Sequence, residues 1–285
     1  MNMDYQARTL ASGFAFPEGP RWREGYLWFA DQHDGLVRCL SPVGAVIEVF
    51  RLPGNPSGIG WLPDGDMLVV SMHERRLYRR TSGALVVHAE LGVVHAHHSN
   101  DMVVDGQGRA YVGNIGFDFH GGEEVRSTAM ALVLPDGTVE LAADGLACPN
   151  GTVITPDGRT LIVAESLASR LTAFTIDEAG RLADRRVFAE LAEAGVPDGI
   201  CLDAEGGVWA ALPYARAAVR VCQGGAITDR VPVEGALPYA CMLGGDDRRD
   251  LYLCVAPDHD PAKTLELRGG RIDVARVAVP GAGWP

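Results

Sequence analysis

Six segments of the chain repeat one short pattern, and this repeat limits the possible folds more than any other feature. The segments are PEGPRW, PSGIGW, SNDMVV, PNGTVI, PDGICL and PYACML, beginning at Pro17, Pro56, Ser99, Pro149, Pro197 and Pro238. Their second residues are 39, 43, 50, 48 and 41 positions apart, close to the roughly 40–50 residues of a propeller blade. A β-sandwich or a row of separate β-domains does not need a repeat that keeps its phase in this way.

A glycine follows the first five segments at a nearly constant distance. Four of these glycines lie eight residues after the second position and the first lies seven after it; they are Gly25, Gly65, Gly108, Gly158 and Gly206. Each belongs to a turn such as PDGD or DGQG and precedes a short apolar run, as in a β-hairpin. Two weaker outer strands follow, which in the first unit are LVRCLS and AVIEVF.

We therefore predict an all-β fold, a six-bladed β-propeller in a single domain over residues 1–285, because radial packing buries the faces of such units. The stretch near 5–14 is expected to add a strand to the last unit and close the ring. The only segment with a helical pattern is 188–194 (FAELAEA).

Composition excludes several classes of partner. Against 25 Lys and Arg stand 37 Asp and Glu, so the net charge is −12, which argues against nucleic acid and anionic membranes. The sequence shows no apolar run of secretory or membrane-spanning length. Six scattered cysteines form no CxxC pair, which favours reduced thiols in a cytoplasmic protein.

The second residues of the six segments are expected to meet. They begin the innermost strands, which line the central channel of a propeller, so they form a ring at one mouth. These residues are Glu18, Ser57, Asn100, Asn150, Asp198 and Tyr239. Two carboxylates close together in a partly dry channel need a counter-charge, and the ring contains no Lys or Arg.

A divalent cation is the simplest counter-charge. The ring offers oxygen ligands only, which suit Ca²⁺, Mg²⁺ or Mn²⁺ better than a thiolate-seeking metal. We predict a central channel metal site formed by Glu18, Asn150 and Asp198, with Asn100 close by. The alternative is a water-filled polar channel whose groups are satisfied by solvent.

The second strand of each unit runs back to the same mouth. Its end carries Asp31, Ser71, Asn114, Glu165 or Pro213. Glu165 is expected to pair with Arg170 or a ring amide, and Asp101 to bond backbone amides near the ring. The loop 115–129 is the longest of those that follow, so it is either a substrate lid or a mobile insertion.

The other motifs in the sequence give weaker evidence about function. The run His95–His98 lacks a matching Cys or HExxH motif for a dedicated zinc site, and His98 is either a pocket wall that contacts substrate or a plain loop residue. Tyr239 is either a substrate contact or part of the core. The sequence contains neither a phosphate loop nor a GxSxG elbow, so a serine hydrolase is not expected.

Four motifs carry a family resemblance through nearly the whole chain: FPEGPRW at 16–22, SNDMVVDGQGRAYVG at 99–113, PNGTVITPDGRTLIVAES at 149–166 and PDGICLDAEGGVWAA at 197–211. Together they resemble the senescence marker protein / gluconolactonase / luciferin-regenerating enzyme family, which includes regucalcin. The resemblance implies a six-bladed propeller with one divalent metal and metal-dependent hydrolysis of small lactones.

By this resemblance the metal ligands are Glu18, Asn150 and Asp198, and Asn100 contacts substrate. Where family members often carry Arg, this chain has His98, so specificity for sugar acids does not follow. The ion expected is Ca²⁺, with Mg²⁺, Mn²⁺, Zn²⁺ or Fe²⁺ as alternatives.

The expected reaction is the opening of a sugar-type or related lactone by activated water, with Asp198 as catalytic general base. Asn100, His98 and Tyr239 are the expected substrate contacts, and the protein is expected to be a monomer or homodimer. The alternatives are a phosphotriesterase on the same scaffold and a non-catalytic propeller that binds calcium or a protein partner. A metal-free condensing enzyme is disfavoured by the intact ligand set.

Overall fold

The computed structural model describes residues 3–119 and 121–283. In this part of the chain the strands form six sheets, five with four strands and one with five. The innermost strands are β3 (Pro17–Arg23), β7 (Pro56–Trp61), β11 (Ser99–Val104), β15 (Pro149–Ile154), β19 (Ile200–Leu202) and β23 (Leu237–Gly244). The second strands are β4 (Tyr26–Asp31), β8 (Met67–Ser71), β12 (Ala110–Asn114), β16 (Thr160–Glu165), β20 (Val208–Leu212) and β24 (Asp250–Ala256).

The outer half of each sheet completes the blade. The third strands are β5 (Leu36–Leu40), β9 (Arg76–Thr81), β13 (Thr128–Val133), β17 (Arg170–Ile176), β21 (Ala217–Val221) and β25 (Gly270–Arg276). The outermost strands are β6 (Val46–Arg51), β10 (Ala84–Glu90), β14 (Val139–Leu146), β18 (Leu182–Glu190), β22 (Ile227–Pro232) and, in the sixth sheet, β2 (Ala7–Phe14). Consecutive strands within each blade pair antiparallel.

The six sheets form the predicted propeller. Each innermost strand packs against that of the next sheet, and β23 packs against β3 to complete the circle. The N-terminal strand β2 pairs antiparallel with β25, so the expected closure by the first residues of the chain is confirmed. A further strand, β1 (Met3–Asp4), which the sequence did not indicate, adds to the fifth sheet in parallel with β22.

The hydrophobic core lies between the blades rather than at one centre. One cluster joins side chains of the second and third blades, including Leu68 and Val112, and another joins the fourth and fifth, including Ile162 and Val219. The turn glycines allow the tight hairpins that keep the inner strands in phase. Gly65 has φ +93° and Gly158 has φ +70°, conformations that cost glycine little and other residues more.

The helical expectation for 188–194 is wrong. Residues up to Glu190 continue strand β18, whose Ala189 pairs with Leu171. Burial of Phe188 and Leu191 against the blade core outweighs the local helical preference of this segment. The helix of the described residues is α1 (Pro261–Leu267), in which Asp260 caps the first turn by accepting a hydrogen bond from the Ala262 amide at 2.9 Å.

The described chain also contains short 3-10 turns and free cysteines. Three single 3-10 turns lie at Leu91–Val93, Ser166–Ala168 and Pro213–Ala215. All six cysteines, which fall within the described ranges, are thiols. Within those ranges the chain has no helix that is long and apolar enough to span a membrane.

Candidate active site

Five of the six ring positions lie where the innermost strands bulge, whereas Asp198 lies two residues ahead of β19. The pairing register between the first and second strands shifts after Glu18, Pro56, Ser99, Pro149 and Pro238. A β-bulge turns a side chain away from the ladder direction and is common beside functional sites. In this propeller the bulge recurs beside the ring residue in five of the six blades.

A glycine follows the ring position in four of the six segments, and the close approach of neighbouring strands requires it. A Cβ on Gly151 would lie 2.4 Å from the Ile200 amide nitrogen, and one on Gly58 would lie 2.4 Å from the Met102 amide nitrogen. These glycines therefore let adjacent inner strands draw together around a narrow channel.

Five of the six ring residues line one cavity of about 230 Å³, namely Glu18, Asn100, Asn150, Asp198 and Tyr239. The sixth, Ser57, is buried but is not among the residues that line this cavity. Periodicity thus brings side chains that are up to about 220 positions apart in sequence to one mouth of the channel.

The negative charges of Glu18 and Asp198, the two carboxyl groups of the cavity, repel each other. Burial raises the pKa of Glu18 well above its usual value, and the nearby charges of Asp198 and Asp101 raise it further. Burial also raises the pKa of Asp198, to about 7, while a hydrogen bond with the Asn150 side chain acts in the opposite direction. The Asn150 amide also donates to the Ser166 hydroxyl at 3.3 Å, and that hydroxyl donates to the Pro197 carbonyl at 2.7 Å.

The donor set suits a hard cation. Glu18 and Asp198 supply carboxylate oxygens and Asn150 a carboxamide oxygen, the ligand types that Ca²⁺ and Mg²⁺ prefer. The described residues hold no group of three or more His, Cys, Asp or Glu side chains that could bind a metal, so a site here needs the carboxamides as well. Lys and Arg are absent from the described lining, and a bound cation would relieve the repulsion between the carboxylates.

A buried ion pair lies beneath the ring, which the sequence analysis missed. The Arg21 guanidinium on β3 donates to the Asp101 carboxylate on β11 at 2.9 Å, and both side chains are about 5% exposed. Arg21 also donates to the carbonyls of Pro20 and Met102. Asp101 further accepts the Met102 amide at 2.8 Å, so the expected backbone bond of Asp101 is present.

Removing one partner of this pair is expected to destabilise the fold strongly. Replacing Arg21 with Met leaves the Asp101 charge buried without compensation, which costs about 3–5 kcal/mol of unfolding free energy. Urea unfolding followed by tryptophan fluorescence measures this loss. The double variant Arg21→Met/Asp101→Leu should recover most of it, and Lys263→Met, which removes the exposed pair with Asp258, should change stability by less than about 1 kcal/mol. A loss below about 1 kcal/mol for Arg21→Met would contradict this role.

The ends of the second strands hold the ring strands in place. Asp31 accepts hydrogen bonds from the Ala15 and Phe16 amides, both at 2.9 Å, just ahead of the Glu18 strand. Glu165 accepts the Ala147 amide at 2.9 Å, just ahead of the Asn150 strand.

Each of these carboxylates also pairs with an arginine of the third strand. Asp31 pairs with Arg38 at 2.8 Å, and Glu165 pairs with Arg170 at 2.8 Å as expected. Asp31 and Glu165 are both fully buried, and neither is among the residues that line the cavity.

Aromatic side chains from the connecting loops form the walls of the cavity. The Phe16 ring stacks on His33 with centroids 4.4 Å apart and packs against Tyr239 at 4.6 Å. The ring of Phe119 lies 5.9 Å from that of His259. The sequence analysis assigned no role to Phe16, which begins the FPEGPRW motif, or to Phe119, which lies in the loop 115–129, and it did not find the two histidines, because none of the four lies at a ring position of the repeat.

The loop at 115–129 contributes directly to this cavity. Ile115 and Phe119 line it, Phe117 is buried, and the Arg126 side chain donates to the Gly116 carbonyl at 3.0 Å. Residue 120 lies outside the described residues. The loop thus covers part of the mouth, and its movement as a lid stays a prediction.

His98 does not line the cavity within the described chain. Its ring packs against His73 at 4.3 Å and His97 at 4.1 Å between centroids. Contact of His98 with substrate stays a prediction, as do the roles of Asn100 and Tyr239. The Tyr239 hydroxyl is buried and has no hydrogen-bond partner among the described protein atoms, so a ligand or water in the cavity would satisfy it.

Comparison with known proteins identifies the class to which this fold and site belong. The model of the SMP-30/gluconolactonase/LRE-like region matches residues 16–257. The chain therefore belongs to this family, and the resemblance drawn from its motifs is confirmed.

Three relatives illustrate the range of the family. The chain is 26% identical to a 6-deoxy-6-sulfogluconolactonase of Pseudomonas putida, over 94% of this chain and 93% of the relative. It is 30% identical to an L-arabinolactonase of Azospirillum brasilense, over 84% and 80% of the two chains. The crystal structure of a calcium-binding protein, regucalcin, of Agrobacterium tumefaciens superposes with a TM-score of 0.83 at 23% identity, over 100% and 99% of the chains, which shows the shared fold.

Proposed function

We propose that this chain is a metal-dependent lactonase that opens a small lactone ring in the cavity lined by Glu18, Asn150 and Asp198. The observation that carries the proposal is the meeting of the buried Glu18 carboxylate, the partly buried Asp198 carboxylate and two carboxamides, without a Lys or Arg among the described lining residues. The kinship with relatives named as lactonases supports this choice of reaction.

Lactone hydrolysis needs a polarised carbonyl, an activated water and a proton for the leaving alkoxide. A bound divalent cation supplies Lewis-acid polarisation and makes water more acidic. Glu18, Asn150 and Asp198 would hold that cation, and their oxygen donors suit Ca²⁺, Mg²⁺ or Mn²⁺, of which Ca²⁺ is the first to be tested.

The remaining steps fall to side chains of this protein. Asp198 accepts a proton from the water as the water attacks the carbonyl carbon, and Asn150 orients Asp198 through their hydrogen bond. Asn100 donates to the developing oxyanion or to a substrate hydroxyl. The ring C–O bond then breaks and the alkoxide takes up the proton, so the product is one hydroxy acid.

A pH-stat screen tests this proposal. Aldonolactones, aliphatic lactones and aromatic lactones are each offered to the protein with Ca²⁺, Mg²⁺, Mn²⁺ or Zn²⁺, beside a panel of organophosphate triesters. We expect metal-dependent acid release from at least one class of lactone. Turnover of triesters alone would identify a phosphotriesterase, and cation binding without turnover would identify a non-catalytic propeller; either result would refute the proposal.

A further inference from the structure

The cavity above the carboxylates is mainly apolar and aromatic. Its described walls include Phe16, Met72, Ile115, Phe119, Leu167 and Tyr214. Because Phe16 packs against both His33 and Tyr239, these three rings form one continuous aromatic surface, which we call the aromatic wall. Such a surface favours a flat, weakly polar group of a ligand over one that is hydrated on every side.

The lining of the cavity offers no fixed positive side chain to an anionic ligand, and the proposed metal ion is already balanced by Glu18 and Asp198. Among the described lining residues the only basic side chains are the imidazoles of His33 and His259. Below the ring, the Arg21 guanidinium is already bonded to Asp101 and two carbonyls. A carboxylate, sulfonate or phosphate group would lose its hydration here without gaining a salt bridge to a side chain, and with the proposed ion bound it would add a net negative charge to the cavity.

The volume of the cavity limits the size of the ligand. The cavity of about 230 Å³ lies below the roughly 300–1,000 Å³ of sites for drug-sized ligands. It therefore suits a molecule of one or two rings. The His33 ring is held in place by a contact of 2.6 Å between its Nδ1 and the Thr264 hydroxyl on α1, so this wall is preformed.

We infer that the site selects an uncharged lactone whose ring carries or is fused to an aryl or alkyl group, in preference to anionic or fully hydroxylated sugar lactones. The apolar group packs on the aromatic wall and beneath Phe119 and Tyr214, while the ester faces Asp198 and Asn100. This inference rests on the proposed function for the position of the ester, but the preference of the walls for neutral ligands is measurable without catalysis.

Binding of hydrolysis-resistant lactams tests the preference directly. Calorimetry compares 3,4-dihydro-2-quinolinone, its carboxylate-bearing analogue and gluconolactam on the full chain with Ca²⁺ present. We expect the neutral bicyclic lactam to bind about tenfold or more tightly than either of the others. Equal affinities, or the reverse order, would overturn the inference.

Substitutions at the mouth locate the effect. Phe119 is 45% exposed and Tyr214 is 67% exposed, so replacing either with Ala leaves the blade core intact. Each variant should weaken binding of the bicyclic lactam about five- to tenfold while leaving gluconolactam binding unchanged. Tyr26→Ala, a half-exposed tyrosine in the β3–β4 hairpin at the other end of the strands, is the matched control. Unchanged binding in both mouth variants would contradict the inference.

A gain-of-function variant provides an independent arm. Leu167 lines the cavity and is 42% exposed. Leu167→Arg therefore adds a positively charged side chain to the lining without removing a side chain from the hydrophobic core. We expect it to strengthen binding of the carboxylate analogue about tenfold. An unchanged affinity of this variant for the carboxylate analogue would contradict the claim that the lack of a positively charged side chain excludes anions.

Parallel kinetics separate this inference from the proposed function. Dihydrocoumarin, glucono-1,5-lactone and a carboxylate-bearing lactone are offered as substrates. The expected lactam order without any lactone turnover supports the ligand class and overturns the hydrolase. Preferred turnover of the carboxylate-bearing or sugar lactone overturns the ligand class and leaves the hydrolase standing.

Discussion

Replacing Asp198 with Asn is expected to lower kcat/KM for the preferred lactone by about 10²–10⁴-fold, the usual contribution of a general base. The substitution keeps the side-chain volume but removes the negative charge that accepts the proton. Asp198→Ala should be at least as severe, because it also removes a metal ligand. Initial rates at saturating metal, over a range of lactone concentrations, measure the loss.

Two controls make this result interpretable. Asp157→Asn alters an exposed carboxylate in the β15–β16 turn, at the far end of the strands, and should retain wild-type activity. The metal-free Asp198→Asn protein should unfold at a urea concentration at least as high as that of the wild type, because the substitution removes one of two neighbouring carboxylates that repel each other. An Asp198→Asn enzyme with wild-type turnover would refute the role of this residue.

Cation binding should depend on Glu18 even when no substrate is present. Calorimetric titration of chelator-treated protein with Ca²⁺, Mg²⁺, Mn²⁺ and Zn²⁺ is expected to show one site, and Glu18→Gln to weaken it by about 100-fold or more, since loss of even an outer-shell partner costs 10–100-fold. At a cation concentration of about 100 times Kd, the wild-type unfolding free energy should rise by about 2.7 kcal/mol.

The controls for this titration lie on the same chain. Glu178→Gln changes an exposed carboxylate in the β17–β18 turn and should bind the ion as the wild type does. Asn150→Ala should weaken binding in the same direction as Glu18→Gln. Heat exchange with none of the four ions, or an unchanged Kd in Glu18→Gln, would show that the carboxylates serve some purpose other than metal binding.

The lactonase relatives and the apolar cavity point to different substrate chemistry. Relatives named for sugar lactones share about a quarter to a third of their residues with this chain, whereas Phe16, Phe119 and Tyr214 line much of its cavity. Loops vary more than the strands they connect, so the proposed lactonase reaction on a different substrate would account for both observations. The calorimetric comparison of lactams tests whether the cavity prefers an apolar ligand or a sugar-like one.

Much of the architecture was predictable from the repeat. Segments that keep their phase over the chain must place equivalent residues at equivalent points of a closed ring, and Glu18, Asn100, Asn150 and Asp198 do line one cavity. The closing strand was predictable as well, because the last unit lacks a fourth strand of its own and the residues near 5–14 are free to supply it.

Other features were not predictable because no periodicity marks them. The strand ending at Glu190 is held by burial of Phe188 and Leu191 against the core, which the local pattern does not reveal. The Arg21–Asp101 pair joins residues 80 positions apart. Its two members come from different blades, so neither segment alone contains a sign of the other.

The sequence by itself therefore determined the number of blades, the strand that closes them and the polar residues at the channel mouth, since each follows from a repeated unit. The tertiary structure alone decided which side chains outside the ring positions wall the cavity, with Phe119 brought beside His259 and Phe16 beside His33. The physical reason is that loop conformation depends on long-range packing, whereas the phase of a strand repeat is written in the order of the residues.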